Sequence, residues 1–165
     1  MNYVIDSMQS GDWMSVLEIY AEGIATGQAT FETKVPDWQY WDEGHLNVCR
    51  FVARDGDVVL GWAALSPISR RQVYAGVAEV SVYVAAAARG QGVGKTLMSA
   101  LIEASEASGF WTLQSSVFPE NQASIKLHLN HGFRELGRRE RIAKLQGVWR
   151  DTVLLERRSP LVGLD

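Results

Sequence analysis

The most constraining feature of this sequence is a glycine-rich segment that separates a strand-like run from a strong helical pattern. It reads Arg89-Gly90-Gln91-Gly92-Val93-Gly94-Lys95-Thr96. Closely spaced glycines let a backbone turn sharply and approach a ligand. The first turn of the helix that follows leaves backbone N–H groups without intrahelical partners, and its dipole favours an anion. The segment therefore predicts a phosphate or pyrophosphate cradle, with a tight strand-to-helix connection as the alternative.

Three phosphate-binding patterns compete for this segment. A Walker A loop fits Gly94-Lys95-Thr96, but its first glycine falls on Arg89, and no apolar strand ends in a good magnesium-binding aspartate. The dinucleotide fingerprint needs Gly-x-Gly-x-x-Gly, whereas the spacing here is one residue shorter. The third pattern, Arg/Gln-x-x-Gly-x-Gly/Ala, is satisfied by Arg89, Gly92 and Gly94 without adjustment.

Length and composition set the scale of the fold. The chain has 165 residues, of which 47% are hydrophobic and 21% are charged, as in an ordinary folded domain. We therefore expect one domain over residues 1–165, with its core at about residues 3–156 and a loose tail at residues 159–165.

Charge and cysteine content argue against several classes of protein. A net charge of −3 argues against a general nucleic-acid binder. The single cysteine, Cys49, excludes an intramolecular disulfide framework, and we expect it to be a small buried hydrophobe in a core strand. His45 and His131 lack ligand spacing, so we predict no metal site. No signal-peptide pattern or membrane-spanning apolar run is present, so we expect a cytoplasmic protein without membrane contact.

Hydrophobic periodicity predicts a mixed α/β domain with about seven strands. The first helix is expected to begin at Ser10 or Asp12 as cap and to end near Gly27. Gly56 between two strand-like runs is typical of a hairpin turn with positive φ, and Gly109 is a good residue to follow a helix. The other predicted helices span residues 37–46, 93–108 and 121–131, and the strands span residues 3–8, 48–54, 58–65, 76–84, 111–117, 134–141 and 148–156.

The third glycine pattern, taken with its surroundings, resembles the acetyl-CoA pyrophosphate loop of the GNAT superfamily of N-acetyltransferases. The likeness covers about residues 3–156 and includes the strand Ala78–Val84, the run Asn121-Gln122-Ala123-Ser124 and the later His131-Gly132-Phe133. Within the superfamily the chain is similar to the phosphinothricin acetyltransferase and amino-acid N-acetyltransferase group. The residues that carry this closer likeness are Ala29-Thr30-Phe31-Glu32, Ala78-Glu79, Val82-Tyr83-Val84, His128, Trp149 and Asp151.

The resemblance implies the GNAT acyl-CoA N-acyltransferase fold, a mostly antiparallel sheet that is splayed in the middle and flanked by helices. It implies direct acetyl transfer from acetyl-CoA to the primary amine of a small molecule, without a cysteine nucleophile, and a possible homodimer. The pantetheine arm would lie along the splayed strand and the pyrophosphate on the glycine-rich segment. The implied cofactor-binding residues are Val82, Tyr83, Val84, Arg89, Gly90, Gln91, Gly92, Val93, Gly94, Lys95, Asn121 and Ser124.

Two catalytic residues are implied by the resemblance, and each has a structural alternative. Glu79 is the only charge in an apolar strand, and the family places a glutamate there near the acceptor amine, as a base acting through water. Otherwise it forms an ion pair or faces outward. His128 stands where many GNAT enzymes carry a tyrosine general acid, and it would contact the coenzyme sulfur or backbone. Otherwise it is a packing residue. Asn121, implied as a cofactor-binding residue, also has a structural alternative, which is to cap a helix N-terminus. The Tyr83 side chain is expected to pack within the protein.

The acceptor pocket would be formed, by resemblance, by Phe31, Glu32 and Tyr74. Tryptophans 38, 41 and 149 could wall it, although each is first a core residue. The group often carries an arginine just after the aromatic at Tyr74, where this chain has Ala75, so the carboxylate anchor would have to come from Arg70 or Arg71. Three alternative functions remain: a protein or peptide N-terminal acetyltransferase, a non-catalytic acyl-CoA-binding module, and a nucleotide hydrolase, which the missing Walker glycine disfavours.

Overall fold

A computed structural model describes residues 2–165, so Met1 of the predicted domain lies outside the described residues. Across residues 2–165 the chain forms four α-helices and one sheet of seven strands. The helices are α1 (Trp13–Ala25), α2 (Trp38–Gly44), α3 (Val93–Ala107) and α4 (Gln122–Leu129). The strands are β1 (Val4–Ser7), β2 (Phe51–Asp55), β3 (Val58–Pro67), β4 (Val77–Val84), β5 (Thr112–Val117), β6 (Arg134–Leu145) and β7 (Val148–Arg158).

The sheet runs in the order β1-β2-β3-β4-β5-β7-β6. Every neighbouring pair is antiparallel except β4 and β5, which are parallel. The predicted mixed α/β class, with about seven mostly antiparallel strands, is confirmed. The parallel pair is possible because α3 carries the chain back across the sheet between β4 and β5.

Hydrophobic side chains pack on both faces of the sheet. On one face, α3 buries Val93, Leu97, Met98 and Leu101 against the sheet. On the other face, α1 and α2 cover a second cluster that includes Val16, Ile19, Trp41 and Trp62. Side chains of β4 alternate between the two faces of the sheet, so Ala78 and Val80 face α3 whereas Tyr83 packs with the second cluster. The central strands are therefore fixed from two sides.

Local turn chemistry follows the sequence closely in three places. Gly56 has a φ of 58° between β2 and β3, and Gly109 has a φ of 86° just after α3, both as predicted. The Asp37 carboxylate accepts a hydrogen bond from the Tyr40 N–H and caps α2. The expectation that residues 48–50 belong to a strand is wrong, because Cys49 adopts a φ of 60° and the strand begins at Phe51. Cys49 is nevertheless buried.

The first helix begins directly after Asp12, one of the two predicted caps, although the capping hydrogen bond of its side chain is not formed. Residues 10–12 form a short 3-10 turn, and α1 starts at Trp13. The Asp12 side chain does not cap α1. Its carboxylate accepts hydrogen bonds from the Gln9 N–H at 2.7 Å and from Arg54 at 3.0 Å, which ties the turn to β2.

The chain beyond β7 is held more firmly than the loose tail that the sequence predicts. Arg158 donates hydrogen bonds to the carbonyls of Val162 and Gly163. The Ser159 hydroxyl is buried and donates to Glu106 at 2.9 Å. Arg158, at the end of the last strand, therefore holds the tail as far as Gly163, and composition alone does not reveal these contacts.

Candidate active site

The sheet opens at its centre, between its two parallel strands. β4 and β5 are paired at only three positions, which end at Glu79 opposite Gln114. Beyond that point β4 stays paired with β3 as far as Val84, while β5 follows β7. The edge of β4 that faces β5 therefore has no strand partner over residues 80–84. A cleft of about 1140 Å³ fills the gap.

Strand alternation divides the lining of this cleft into two halves. Val80, Val82 and Val84 point toward the α3 side, together with the glycine-rich segment and α4. Glu79 and Ser81 point toward the α1 and α2 side. The two halves meet where β4 and β5 separate, so a long ligand can enter from one face of the sheet and present its end at the other.

The glycine-rich segment has the geometry of an anion site. Gly90 and Gly92 have φ values of 73° and 84°, which disfavour residues with a side chain. Gly92 is the N-cap of α3 and has no side-chain capping bond, so the first N–H groups of the helix stay available. Gly94 has no positive φ, and a Cβ at this position would make only ordinary van der Waals contacts with the protein.

Two cations stand beside this helix end. Arg89 donates a hydrogen bond from Nε to the Val84 carbonyl at 3.3 Å. Arg89 lines the cleft, and so does Lys95, which lies in the first turn of α3. Gln91 is turned away from the cleft lining and donates to the Ala87 carbonyl at 2.9 Å. The cradle therefore consists of backbone amides, Arg89 and Lys95, without the Gln91 side chain.

Asn121 caps α4 and also reaches across the cleft. Its side-chain oxygen accepts the Ser124 N–H at 3.2 Å, which makes it the N-cap that the sequence allowed as an alternative. Its side-chain nitrogen donates to the Gln28 carbonyl at 3.2 Å, in the segment that follows α1. Asn121 and Ser124 both line the cleft on the α3 and α4 side. The asparagine thus links the two halves of the cleft.

His128 is buried in α4, with only 4% of its surface exposed. Its Nδ1 lies 2.7 Å from the Ser124 carbonyl and donates to it, while Nε2 has no hydrogen-bond partner within residues 2–165. Burial lowers the pKa of the imidazole below its ordinary value, although the bond to the Ser124 carbonyl acts the other way. The ring is therefore neutral near pH 7, with an acceptor lone pair at Nε2.

Glu79 is half-buried in the last pair that joins β4 to β5. The Gln114 side-chain amide donates to its carboxylate at 3.3 Å. No lysine or arginine of residues 2–165 forms a salt bridge with it. A carboxylate with one neutral partner, at the point where the two halves of the cleft meet, keeps capacity to accept a further hydrogen bond.

The α1 and α2 side of the cleft is aromatic and carries a second acid. Phe31 packs edge-on against Phe118, with ring centroids 4.8 Å apart. Glu32 also lines this half, as do Tyr20 and Trp41. Tyr83 lines the cleft, but its ring stacks on Trp62 at 4.8 Å, so the side chain packs as expected.

Several residues expected at the acceptor pocket lie elsewhere. Tyr74 is 42% exposed, and the Arg71 guanidinium stacks on its ring instead of reaching the cleft. Trp149 is 53% exposed and carries Lys144 over its ring. Of the residues that the structure describes, neither Tyr74, Trp38 nor Trp149 lines the cleft, and neither do Arg70 or Arg71. The loop before Tyr74 does not fold over the cleft in this chain.

The cleft contains lining residues that the sequence reading missed. Ser81 and Ser116 lie two residues beyond Glu79 and Gln114 on their strands, so the alternation of side chains along a strand is a sequence signal that could have located them. His45 and Thr152 gave no such signal, because they come from a loop and a distant strand. Thr152 is buried and its hydroxyl has no partner in the described part of the chain.

Two further features bear on the class of site. Within residues 2–165, no group of three or more histidine, cysteine, aspartate or glutamate side chains could hold a metal ion. None of the helices in the same range combines the length and apolar character that a membrane span requires.

Comparison with known proteins places this geometry in context. The profile of the Acetyltransferase (GNAT) family matches residues 13–133. The phosphinothricin N-acetyltransferase of Alcaligenes faecalis is 34% identical over 161 residues, covering 91% of this chain and 79% of the relative. The L-methionine sulfoximine/L-methionine sulfone acetyltransferase of Pseudomonas aeruginosa is 34% identical over 98 residues, covering 59% and 57%.

A solved structure shares the whole architecture. The phosphinothricin acetyltransferase of Sinorhizobium meliloti, a GNAT superfamily member crystallised in complex with AcCoA, aligns with a TM-score of 0.85 at 29% identity. The alignment covers 96% of this chain and 89% of that one.

Proposed function

This chain belongs to the Acetyltransferase (GNAT) family, and we propose that it transfers an acetyl group from acetyl-CoA to the primary amine of a small amino-acid analogue. The observation that carries the proposal is the opening between β4 and β5. It joins an anion cradle on one face of the sheet to Glu79 on the other. A donor with a phosphate end and a reactive end, and an amine approaching from the opposite side, fit that arrangement.

The residues present fit coenzyme A. Free amides of the α3 first turn, with Arg89 and Lys95, would bind the pyrophosphate. The unpaired edge of β4 at residues 80–84 would pair with the pantetheine amides, since buried backbone polar groups need partners. Asn121 and Ser124 border the same path. The bound donor supplies the acetyl group as a thioester, and the chain's own groups orient it and the amine.

Glu79 is the residue that we propose as general base. An ammonium cannot attack a carbonyl until it loses a proton, so a carboxylate near the amine must accept that proton, directly or through water. Glu79 has no cationic partner in residues 2–165, and its one hydrogen bond comes from the neutral Gln114 amide. It is therefore free to take up and release a proton during each turnover.

We propose that His128 acts as a hydrogen-bond acceptor and not as the general acid. A general acid must carry a proton to donate, but burial lowers the pKa of this imidazole, and Nδ1–H is committed to the Ser124 carbonyl. The lone pair on Nε2 remains for a donor from the pantetheine arm or from an ordered water.

The acceptor class is supported by the relatives, whose names specify phosphinothricin and methionine sulfoximine or sulfone. A second acceptor class, an amine that lacks a carboxylate, is favoured by one observation. The α1 and α2 half of the cleft contains Glu32 and Glu79, whereas the lysines and arginines that line the cleft, among the described residues, are Arg89, Lys95 and Lys126 on the other half. A desolvated carboxylate without a cation or N–H partner would be costly.

A release assay for CoA thiol distinguishes these classes. Acetyl-CoA would be mixed with the protein and, in separate reactions, with phosphinothricin, methionine sulfone, methionine sulfoximine, polyamines, simple alkylamines and a short peptide. Turnover on the amino-acid analogues supports the first class, and faster turnover on alkylamines or polyamines supports the second. Turnover only on the peptide favours a protein N-terminal acetyltransferase, and no turnover with any amine favours an acyl-CoA-binding module.

We further propose, from the resemblance, that the chain forms one N-acetyltransferase domain and that two copies assemble into a homodimer. We also propose that the protein is cytoplasmic. Aromatic and aliphatic side chains exposed on the β6–β7 hairpin, such as Trp149 and Ile142, are compatible with such an assembly. Sedimentation equilibrium of the full chain measures the assembly directly, and a monomer at micromolar concentration would overturn this part of the proposal.

A further inference from the structure

The acceptor half of the cleft depends on a short segment that leaves α1. Residues 27–32, here called the exit segment, contain the predicted acceptor residues Phe31 and Glu32, and residues 28–32 line the cleft. The segment has no regular secondary structure of its own. Inside it, Gln28 N–H and Glu32 N–H bond only to the hydroxyls of Thr26 and Thr30. Something outside the segment must therefore hold it in place.

Arg150 in β7 makes that contact. Its Nη1 donates to the Gly27 carbonyl at 3.0 Å, and its Nη2 donates to the Gln28 side-chain oxygen at 2.8 Å and to Glu120 at 3.3 Å. Gly27 follows the last turn of α1, where carbonyl groups are left without intrahelical partners and the helix dipole favours a cation. One guanidinium thus serves the helix end and the segment that leaves it.

The same side chain reaches Phe31 through a neighbouring ring. The Arg150 guanidinium carbon lies 4.0 Å from the centre of the Phe118 ring, and Phe118 meets Phe31 edge-on at 4.8 Å. Phe118 is therefore fixed between a cation and the aromatic wall of the acceptor half. Asn121, the N-cap of α4, also donates to the Gln28 carbonyl, so the segment is held both from β7 and from the start of α4.

We propose that Arg150 is a positioning residue for acceptor binding: by fixing Gly27, Gln28 and Phe118, it sets the position of Phe31 in the cleft. Arg150 itself does not line that cleft. The inference rests on the proposed acetyl transfer, because the position of Phe31 matters for catalysis only if an amine binds beside it.

Arg157 provides a matched control. It lies on the same strand, its side chain is 16% exposed against 14% for Arg150, and it pairs with Glu106 at 2.8 Å. Its contacts are with Glu106 and the His131 carbonyl, away from the exit segment. The two arginines are similarly buried, but the Arg157 partner Glu106 is 14% exposed whereas the Arg150 partner Glu120 is 57% exposed, so Arg157→Ala disrupts the more buried ion pair. A loss of general stability should therefore be at least as large in Arg157→Ala as in Arg150→Ala.

The test compares Arg150→Ala with Arg157→Ala by amide hydrogen exchange of the full chain and by steady-state kinetics. We expect Arg150→Ala to speed exchange in the peptide covering residues 26–33 by about tenfold or more, and Arg157→Ala to leave that peptide unchanged. We expect Arg150→Ala to raise KM for the acceptor by about 10- to 100-fold, since small displacements of positioning groups have effects of that size. KM for acetyl-CoA should change by less than about twofold.

The exchange measurement needs no substrate, so it decides the inference even if no amine is turned over. Unchanged exchange at residues 26–33 in Arg150→Ala would overturn the positioning role, as would equal acceleration in Arg157→Ala. Equal increases in KM for both substrates would also overturn it. Failure of the unmutated protein to acetylate any amine, with the exchange result as expected, would instead count against the proposed function alone.

Discussion

The Gln114 side-chain amide donates to the Glu79 carboxylate at 3.3 Å across the last pair that joins β4 to β5. The contact stands at the point where the sheet opens, so the carboxylate is fixed at the meeting of the two halves of the cleft. A neutral partner orients the carboxylate without cancelling its charge. This relationship is the basis of the catalytic role proposed for Glu79.

Replacing Glu79 should separate chemistry from cofactor binding. We expect Glu79→Gln to lower kcat by roughly 10²- to 10⁴-fold, the usual span for a positioned acid or base, with KM for acetyl-CoA near normal. Glu156→Gln is the control, because Glu156 pairs with Gln114 in the sheet from the other side and does not line the cleft. A kcat in Glu79→Gln close to that of the unmutated protein would contradict the role of Glu79 as general base.

The glycine at the start of α3 should be needed for acetyl-CoA binding. A ligand at a hundred times its Kd adds about 2.7 kcal/mol of stability, which raises Tm measurably. We expect Gly92→Val to abolish that rise, because its φ of 84° disfavours a branched side chain at the pyrophosphate cradle. Gly109→Val imposes the same strain at the other end of α3, with a φ of 86°. If both variants lose the acetyl-CoA shift, the effect comes from helix strain and not from the cradle.

Stability should fall on mild acidification. Burial lowers the pKa of His128 and of His45, and the positive Arg50 adds to the effect at His45. A lowered folded-state pKa means that unfolded chains bind protons first below about pH 6.5, so stability is full above that pH and is lost as pH falls through the folded-state pKa. Tm should drop between pH 7 and pH 5, above the range where ordinary carboxyl groups titrate.

Each histidine should carry part of that pH dependence. His128→Gln and His45→Gln should each flatten the plot of Tm against pH over this interval, and the double variant should flatten it most. Differential scanning calorimetry at half-unit pH steps provides the measurement. A Tm that stays constant or rises on acidification would show that neither imidazole is buried in its neutral form.

The preference between amino-acid and alkylamine acceptors should depend on the charge of Glu32 and not on Arg70 or Arg71. We expect Arg70→Ala and Arg71→Ala to leave the ratio of kcat/KM for amino acids and alkylamines unchanged, since neither side chain lines the cleft. Glu32→Gln should raise that ratio by about two- to fivefold, the size of a partly exposed charge interaction. A selective loss of amino-acid turnover in Arg70→Ala or Arg71→Ala would mean that their loop closes over the bound acceptor.

The parts of the fold that the sequence predicts are those that local chemistry controls. Gly56, Gly92 and Gly109 each occupy a backbone conformation that favours glycine, so the turns and helix ends around them follow from residue type. The opening after Glu79 is not local, because it depends on β5 turning to follow β7. The separation of β4 from β5 could therefore be expected only from the resemblance to the GNAT superfamily.

Long-range contacts explain the corrections at the site. The Asn121 side chain bonds to the Gln28 carbonyl, 93 residues away, and Arg150 bonds to Gly27, 123 residues away, and neither contact leaves a pattern in the sequence. The resemblance to the family places Tyr74 in the acceptor pocket, yet its short 3-10 turn holds it at the surface beside Arg71. Side-chain direction in such loops depends on tertiary packing, which periodicity does not encode.

The most direct test of the central claim is mass spectrometry of the product. The unmutated protein and Glu79→Gln would each be incubated with acetyl-CoA and the amine that performs best in the thiol-release screen. We predict that the unmutated protein forms the N-acetylated amine in an amount equal to the CoA released, and that Glu79→Gln binds acetyl-CoA but forms the product at least about a hundredfold more slowly. CoA release without an acetylated amine would contradict acetyl transfer to the amine. Equal rates of product formation in the two proteins would contradict the role of Glu79 as general base.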